Sequence, residues 1–447
     1  MPVTPHDTSG NGSATALEHM LKGTAPQVSH ILNNALEGRD ISVEDALVLF
    51  DTSGLEFNAL VMTADELRRR RVGDIVTYVV NRNINFTNVC IKRCGFCAFS
   101  RDHREEEGYF LPLSEIIRRA REAWELGATE VCVQAGLPPQ MEGDLYIRLC
   151  EAIKTELPDM HIHGFSPEEV LYGSVRSKCS TRDYLVGLKD AGVGSLPGTS
   201  AEILDQEMRD MISPGRITVD QWIEVITNAH DLGIPTTSTI MYGHVETHEH
   251  IARHLALLRD IQKGTGGFTE FVPLIFVASE APMYSRNLVE GVREGPTGNE
   301  VTKVHAISRL MLDNWIPNLQ VSWVKESLRF AQTLLNAGVN DMGGTLINES
   351  ISTSAGAQFG QLVRPGQFRQ LIRDAGRIPA ERHTIYNDLR VFEDPDQDPV
   401  EPLDMVGDNP EEQFGSYFRL IKMDDFRFKH PKHAGQSEEG ENKGFEG

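Results

Sequence analysis

Residues 83–99 read NINFTNVCIKRCGFCAF. A strand-like run over 83–89 passes directly into a loop that packs Cys90, Cys94 and Cys97 into eight positions, with no fourth cysteine in that loop. Thiolates are soft ligands that suit zinc or iron–sulfur clusters. A structural zinc site wants a closed shell, usually two close pairs of ligands. Three thiolates on a four-iron cubane instead leave one iron without a protein ligand, and a small molecule can chelate there. His103, Cys132, Cys150 and Cys179 are the other candidates for a fourth ligand, and none has a tight reciprocal spacing with the three. Cys132 falls inside an apolar run and Cys150 on an amphipathic helix, where a thiol packs as a small hydrophobe. Cys179 sits in a polar loop, RSKCST.

Outward from this stretch the chain repeats one unit: a short apolar or β-branched run, a polar turn, then an amphipathic helix. Runs lie near 83, 130 (EVCVQAG), 161 (HIHGFSP), 193 (VGSLPG), 236 (TTSTIMYG), 268 (FTEFVPLIFV), 319 (LQVSWVK) and 340 (NDMGGTL). Helices close on Gly127, Gly192, Gly233 and Gly338, each leading straight into the next run, which predicts a left-handed glycine at each helix end. Ser166 with Glu169, and Thr218 with Gln221, have the spacing of capping boxes. Eight strand–helix units without a break in composition predict an α/β fold, a (β/α)8 TIM-type barrel, over a doubly wound open sheet. A six-stranded partial barrel with an extra C-terminal region is the nearest rival. Barrel chemistry sits in the loops at the C-terminal ends of the strands. The cysteine loop falls on that face, with Gln134, Gly136, 163–166, 195–198, 242–244, Trp323 and 340–344.

Residues 1–27 and 430–447 are polar, Gly-rich and aperiodic, and are expected to be flexible tails. Between them we expect a helical lead-in over 28–80, the barrel over 81–390 and a C-terminal extension over 391–429. The formal net charge of −22 repels phosphate backbones and anionic lipid, arguing against nucleic-acid and membrane partners. The basic run 68–71 is read as a solvated helix face. Neither an apolar leader nor a run near the ~20 residues of a membrane span is present. Six cysteines in such a chain point to reduced thiols and a cytoplasmic setting. GVGSLPG lacks the pattern of a phosphate loop, and His244 with His248, and His250 with His254, are each four apart without HExxH, so both are read as ordinary structure.

CxxxCxxC with an aromatic before the last cysteine, after a first barrel strand, resembles the signature of radical S-adenosylmethionine enzymes. Longer segments resemble FO synthase subunit 2, the tyrosine-dependent 4-hydroxyphenyl transferase family: INFTNVCIKRCGFCAF, HIHGFSPEEV, GVGSLPGTSAEILDQEMRDMISPGRIT, TTSTIMYGH and NDMGGTLINESISTSAGA. The likeness runs from about residue 40 to about residue 390. Menaquinone enzymes of the futalosine route, the cyclic dehypoxanthinyl futalosine synthase and aminofutalosine synthase, share NINFTNVC and CAF and are the alternative; a non-catalytic metal-binding protein is the remote one.

The resemblance implies a [4Fe-4S] cluster on Cys90, Cys94 and Cys97, with S-adenosylmethionine on the open iron. It implies a deoxyadenosyl radical that oxidises L-tyrosine, whose 4-hydroxybenzyl fragment joins 5-amino-6-(D-ribitylamino)uracil. It further implies a ring-closing partner, FO synthase subunit 1, and a reductant such as flavodoxin or ferredoxin. By the same likeness Phe96 flanks the adenine, and Gln134 and Gly136 hold the methionine amino group. Glu202 and Arg209 contact ribose and carboxylate, and His163 and His244 are candidates for proton transfer or for binding the uracil.

Overall fold

The computed structural model describes residues 10–430, apart from 358, 388 and 408. The outer parts of both expected tails, 1–9 and 431–447, lie outside the described residues. Among the described residues ten strands are formed: β1 Ile75–Val79, β2 Asn81–Ile84, β3 Glu130–Val133, β4 His161–His163, β5 Val193–Ser195, β6 Thr236–Tyr242, β7 Phe268–Ile275, β8 Asp341–Gly344, β9 Ile378–Arg382 and β10 Leu389–Val391. β2 to β5 pair in sequence, β6 pairs β7, and β1 lies between β8 and β9, all in parallel.

Isolated parallel bridges join these sheets into a ring. Leu196 with Thr236 links β5 to β6, and Phe271 with Leu319 and Gln320 with Asp341 set residues 319–320 between β7 and β8. Arg82 with Ile347 then returns the chain of pairings to β2. The ring therefore has eight positions, with β1 and β2 forming the first and residues 319–320 the seventh. All seven residues of β6 are buried, as a parallel strand covered on both faces requires.

Local signals hold. Gly127, Gly192, Gly233 and Gly338 all have positive φ, between +71° and +99°. Both capping boxes form, starting the helices Pro167–Ser177 and Val219–Asp231. The structure departs from the sequence reading at several points. The first barrel position begins at Ile75, inside the expected lead-in. The seventh run pairs only through residues 319–320 before turning into the short helix Trp323–Glu326.

The inner part of the expected N-terminal tail carries the helix Gly10–Gly23, whose Leu17 and Leu21 are buried in the common core. The basic run is a solvated face at Arg69, Arg70 and Arg71, which are exposed, and departs from that reading at Arg68. Arg68 is fully buried and paired with Asp65 at 2.7 Å, while Arg69 and Arg70 bind Glu66 and Arg71 binds Asp313.

The C-terminal segment is joined to the barrel at two points. β9 runs beside β1, in register from Ile75 with Ile378, and β10 covers it antiparallel. Further on, Phe428 N donates to Gly108 O at 2.8 Å and Phe110 N to Phe426 O at 2.8 Å, so the chain end pairs with the loop that follows the cysteines. Tyr417 closes on Phe99, ring centroids 5.5 Å apart.

Candidate active site

The cysteine loop is held on several sides by backbone bonds. Cys90 N donates to Arg101 O at 3.0 Å, Ile91 N to Leu137 O at 2.9 Å and Gly95 N to Ile212 O at 2.8 Å, and Gly95 O accepts from Met283 N at 2.7 Å. Gly136 N donates to Thr87 O at 2.8 Å, bringing its Cα so close that a Cβ there would lie 2.4 Å from Val89 O. Only glycine fits.

Cys90, Cys94 and Cys97 all line one cavity of about 420 Å³ inside the barrel mouth, which runs down to Arg382 and Glu270. Burial pushes the Cys94 thiol up to about 12, opposed by the charge of Arg216, and burial also raises Cys90. Such thiols ionise when a soft cation displaces their protons. Among the described residues no three His, Cys, Asp or Glu side chains converge tightly enough to hold a single ion. A cluster asks for something else, one thiolate on each of several irons around a shared space, and three soft donors on one cavity wall fit that demand. Of the other thiols, Cys132 lines the deeper cavity, Cys150 is buried in the helix Leu145–Glu156 and Cys179 is exposed. His103 sits outside the cavity lining, 3.3 Å from Asp102.

Residues 84–258 match the Radical SAM superfamily model, and 265–394 match the CofH/MqnC C-terminal region. The 5-amino-6-(D-ribitylamino)uracil--L-tyrosine 4-hydroxyphenyl transferase of Methanothermobacter thermautotrophicus is 47% identical over 359 residues, spanning 80% of this chain and 97% of the relative. The chain belongs to this transferase family. The Methanocaldococcus jannaschii member is 45% identical over 80% of this chain and 99% of its own. The FO synthase of Mycobacterium leprae is 44% identical, and this chain spans 39% of its length. Among solved structures, the [FeFe]-hydrogenase maturase HydG of Carboxydothermus hydrogenoformans superposes with a TM-score of 0.63 at 16% identity, over 84% of each chain. Methylornithine synthase gives 0.58 at 18%, over 77% of this chain and 95% of its own. At those identities the likeness establishes the fold. The cofactors of the superfamily are a [4Fe-4S] cluster and S-adenosylmethionine.

Within this transferase-family site, Phe96, Gln134, Gly136, Glu202 and His163 all line the cysteine cavity. The buried His163 shares Ser195 Oγ with His161, at 2.7 Å and 2.8 Å. Burial pulls its pKa below the usual histidine value, against the charge of Glu130.

Two expected residues lie elsewhere. Arg209 is fully buried behind the wall and spends its guanidinium on the carbonyls of Ala201 and Ile217. His244 is buried off the cavity between Met241 O, Val245 N and Glu246. The remaining histidines are likewise engaged: His248 stacks on Phe50, His250 caps its helix with Thr247, and His254 bridges Leu204 N and Thr239 O.

Arg216, seven residues past Arg209, lines the cavity where Arg209 does not. Its guanidinium binds Glu202 at 2.7 Å, Ser200 Oγ at 2.7 Å and Glu168 at 3.3 Å, and lies 5.5 Å over the Phe96 ring. The PGRIT segment contained it, but spacing alone does not separate two arginines on one excursion. The sequence presents Glu169 only as a cap. It also accepts from Ala135 N at 2.9 Å on the cavity wall, and burial lifts its carboxyl to about 7 against its Ser166 hydrogen bonds. Lys325 and Arg382, also on the wall, carried no local motif.

Proposed function

We propose that the chain joins the 4-hydroxybenzyl part of L-tyrosine to 5-amino-6-(D-ribitylamino)uracil, a step toward the deazaflavin coenzyme FO. The observation that carries this reading is identity of 47% across 97% of a transferase with that printed name, in a chain whose three thiols share one cavity. Cys90, Cys94 and Cys97 would hold the cluster. Phe96, Gln134, Gly136 and Glu202, with Arg216 in place of Arg209, would hold S-adenosylmethionine. When bound, these cofactors supply one-electron chemistry that yields a hydrogen-abstracting carbon radical.

The chain's own part is binding, shielding and proton handling. Leu137, Met241, Phe276 and Val324 contribute apolar walls that keep water from a reactive centre. His163, neutral at neutral pH, can donate Nδ1–H to Ser195 and accept a proton at Nε2, which suits the tyrosine phenol or the uracil. His244 is a positioning residue for the turn after β6.

The M. leprae FO synthase is more than twice as long as the part this chain matches, which supports a separate ring-closing partner, FO synthase subunit 1. A low-potential donor of the flavodoxin or ferredoxin kind would reduce the cluster in the cytoplasm. Among the described residues no helix is long and apolar enough to cross a membrane. Incubating reconstituted, reduced enzyme with both substrates should give the coupled product by mass. Intact tyrosine alongside S-adenosylmethionine cleavage would overturn the substrate assignment.

A further inference from the structure

Nearly every charged group on the cavity wall has a hydrogen-bond or ion-pair partner. Of its six carboxylates, Glu130 accepts from Asn81 and Thr384, Glu168 from Ile217 N, and Glu169 from Ala135 N and Ser166. Glu202 binds Arg216, Glu270 binds Arg382, and Glu349 accepts from Ser352 N and Thr353 N. Of the four lysine and arginine side chains there, Lys92 is paired with Glu168 at 3.1 Å, Arg216 with Glu202 and Glu168, and Arg382 with Asp341 at 2.5 Å. Lys325 is the exception. Half-buried, it has no side-chain hydrogen bond or ion pair among the described residues, so three ammonium N–H donors face the cavity unspent.

Glu349, Glu326 and Glu202 act on the charge of Lys325 from beyond ion-pair distance, and a cation drawn out of bulk water with no carboxylate in contact is costly unless a ligand supplies one. Lys325 sits past the seventh ring position, in the helix Trp323–Glu326, whereas the cysteines, Gln134, His163, Glu202 and Arg216 follow the first four. It therefore reaches the cavity from the opposite arc. Of the two substrates, the ribitylaminouracil has no carboxylate and tyrosine has one. Building on the function proposed above, we propose that Lys325 is the anchor for the α-carboxylate of tyrosine, and so selects a free amino acid over its decarboxylated amine.

The test uses cluster-loaded enzyme with S-adenosylmethionine and measures equilibrium binding of tyrosine and of tyramine, which lacks the carboxylate. Wild type should bind tyrosine about 10- to 100-fold more tightly than tyramine, the range of one charge-assisted hydrogen-bonded contact. Lys325→Met should lose that preference, with tyramine affinity, S-adenosylmethionine affinity and iron content unchanged, and Lys325→Arg should restore most of it. Equal binding of both ligands by wild type overturns the inference without needing any variant. So does a Lys325→Met loss confined to S-adenosylmethionine, which would assign the ammonium to the cofactor's own carboxylate. If wild type binds neither tyrosine nor tyramine but cleaves S-adenosylmethionine, the substrate reading itself falls and takes this inference with it.

Discussion

Replacing Gly136 by Ala puts the cysteine loop under a calculable load. The added Cβ would sit 2.4 Å from Val89 O, 2.8 Å from Val89 C and 3.1 Å from Asn88 C, all backbone atoms that cannot rotate away. Ordinary contact begins at 3.4 Å, so the segment must yield by about 1 Å, and Val89 is bonded directly to Cys90. Overpacking of this kind costs about 1–3 kcal/mol, and a 1 Å error in a reacting group can cost about 100-fold in rate. Gly127→Ala is the control: it meets open space but has φ +91°, so it carries a backbone penalty of about 1–2 kcal/mol and no push on the loop. Iron and sulfide per chain, melting temperature and S-adenosylmethionine cleavage should be measured for both. Gly136→Ala should lose iron and fall about 100-fold in cleavage, while Gly127→Ala melts earlier with full iron. Wild-type iron and cleavage in Gly136→Ala would refute the claim that this contact sets the cysteine geometry.

Other changes separate cofactor groups from scaffold. Cys94→Ala should remove both the cluster absorbance and S-adenosylmethionine cleavage, checked by visible spectrum and 5'-deoxyadenosine yield. Arg216→Met should weaken S-adenosylmethionine binding at least about tenfold and cost about 3 kcal/mol by leaving Glu202 unpaired. Arg209→Met should cost about 2 kcal/mol through its two orphaned carbonyls, yet leave cofactor affinity within about threefold, measured by calorimetry and chemical unfolding. Glu169 titrates near 7 in the fold and near 4.5 unfolded, so the folded state holds its proton more tightly. Its stabilising contribution is complete below about pH 4.5 and is lost as pH rises to about 7. Glu169→Gln should remove that decline, worth up to about 3 kcal/mol in the difference between the two unfolding curves.

What was legible in the sequence was local. Three cysteines in one loop, four helix-ending glycines and two capping boxes each act within a few residues, and all appear as read. The start of the barrel was hidden because IVTYV, buried beside two neighbours, has no period-two alternation and follows a helix directly. β9, containing a proline and lying past the eighth run, gave no strand signal.

The site's remaining chemistry is non-local. Arg216 meets Glu168 from 48 residues away, and Lys325 and Arg382 reach the cavity only once the ring closes. Arg209 and His244 were plausible because they share excursions with wall residues. Which side of a turn a side chain takes depends on packing that spacing does not encode.

The most direct test is Mössbauer spectroscopy of 57Fe-reconstituted protein with and without S-adenosylmethionine. Three thiolates around a four-iron cluster predict four irons per chain, one of them distinct and shifted when S-adenosylmethionine is added. Four equivalent irons indifferent to S-adenosylmethionine, or a single zinc in place of iron, would contradict the account.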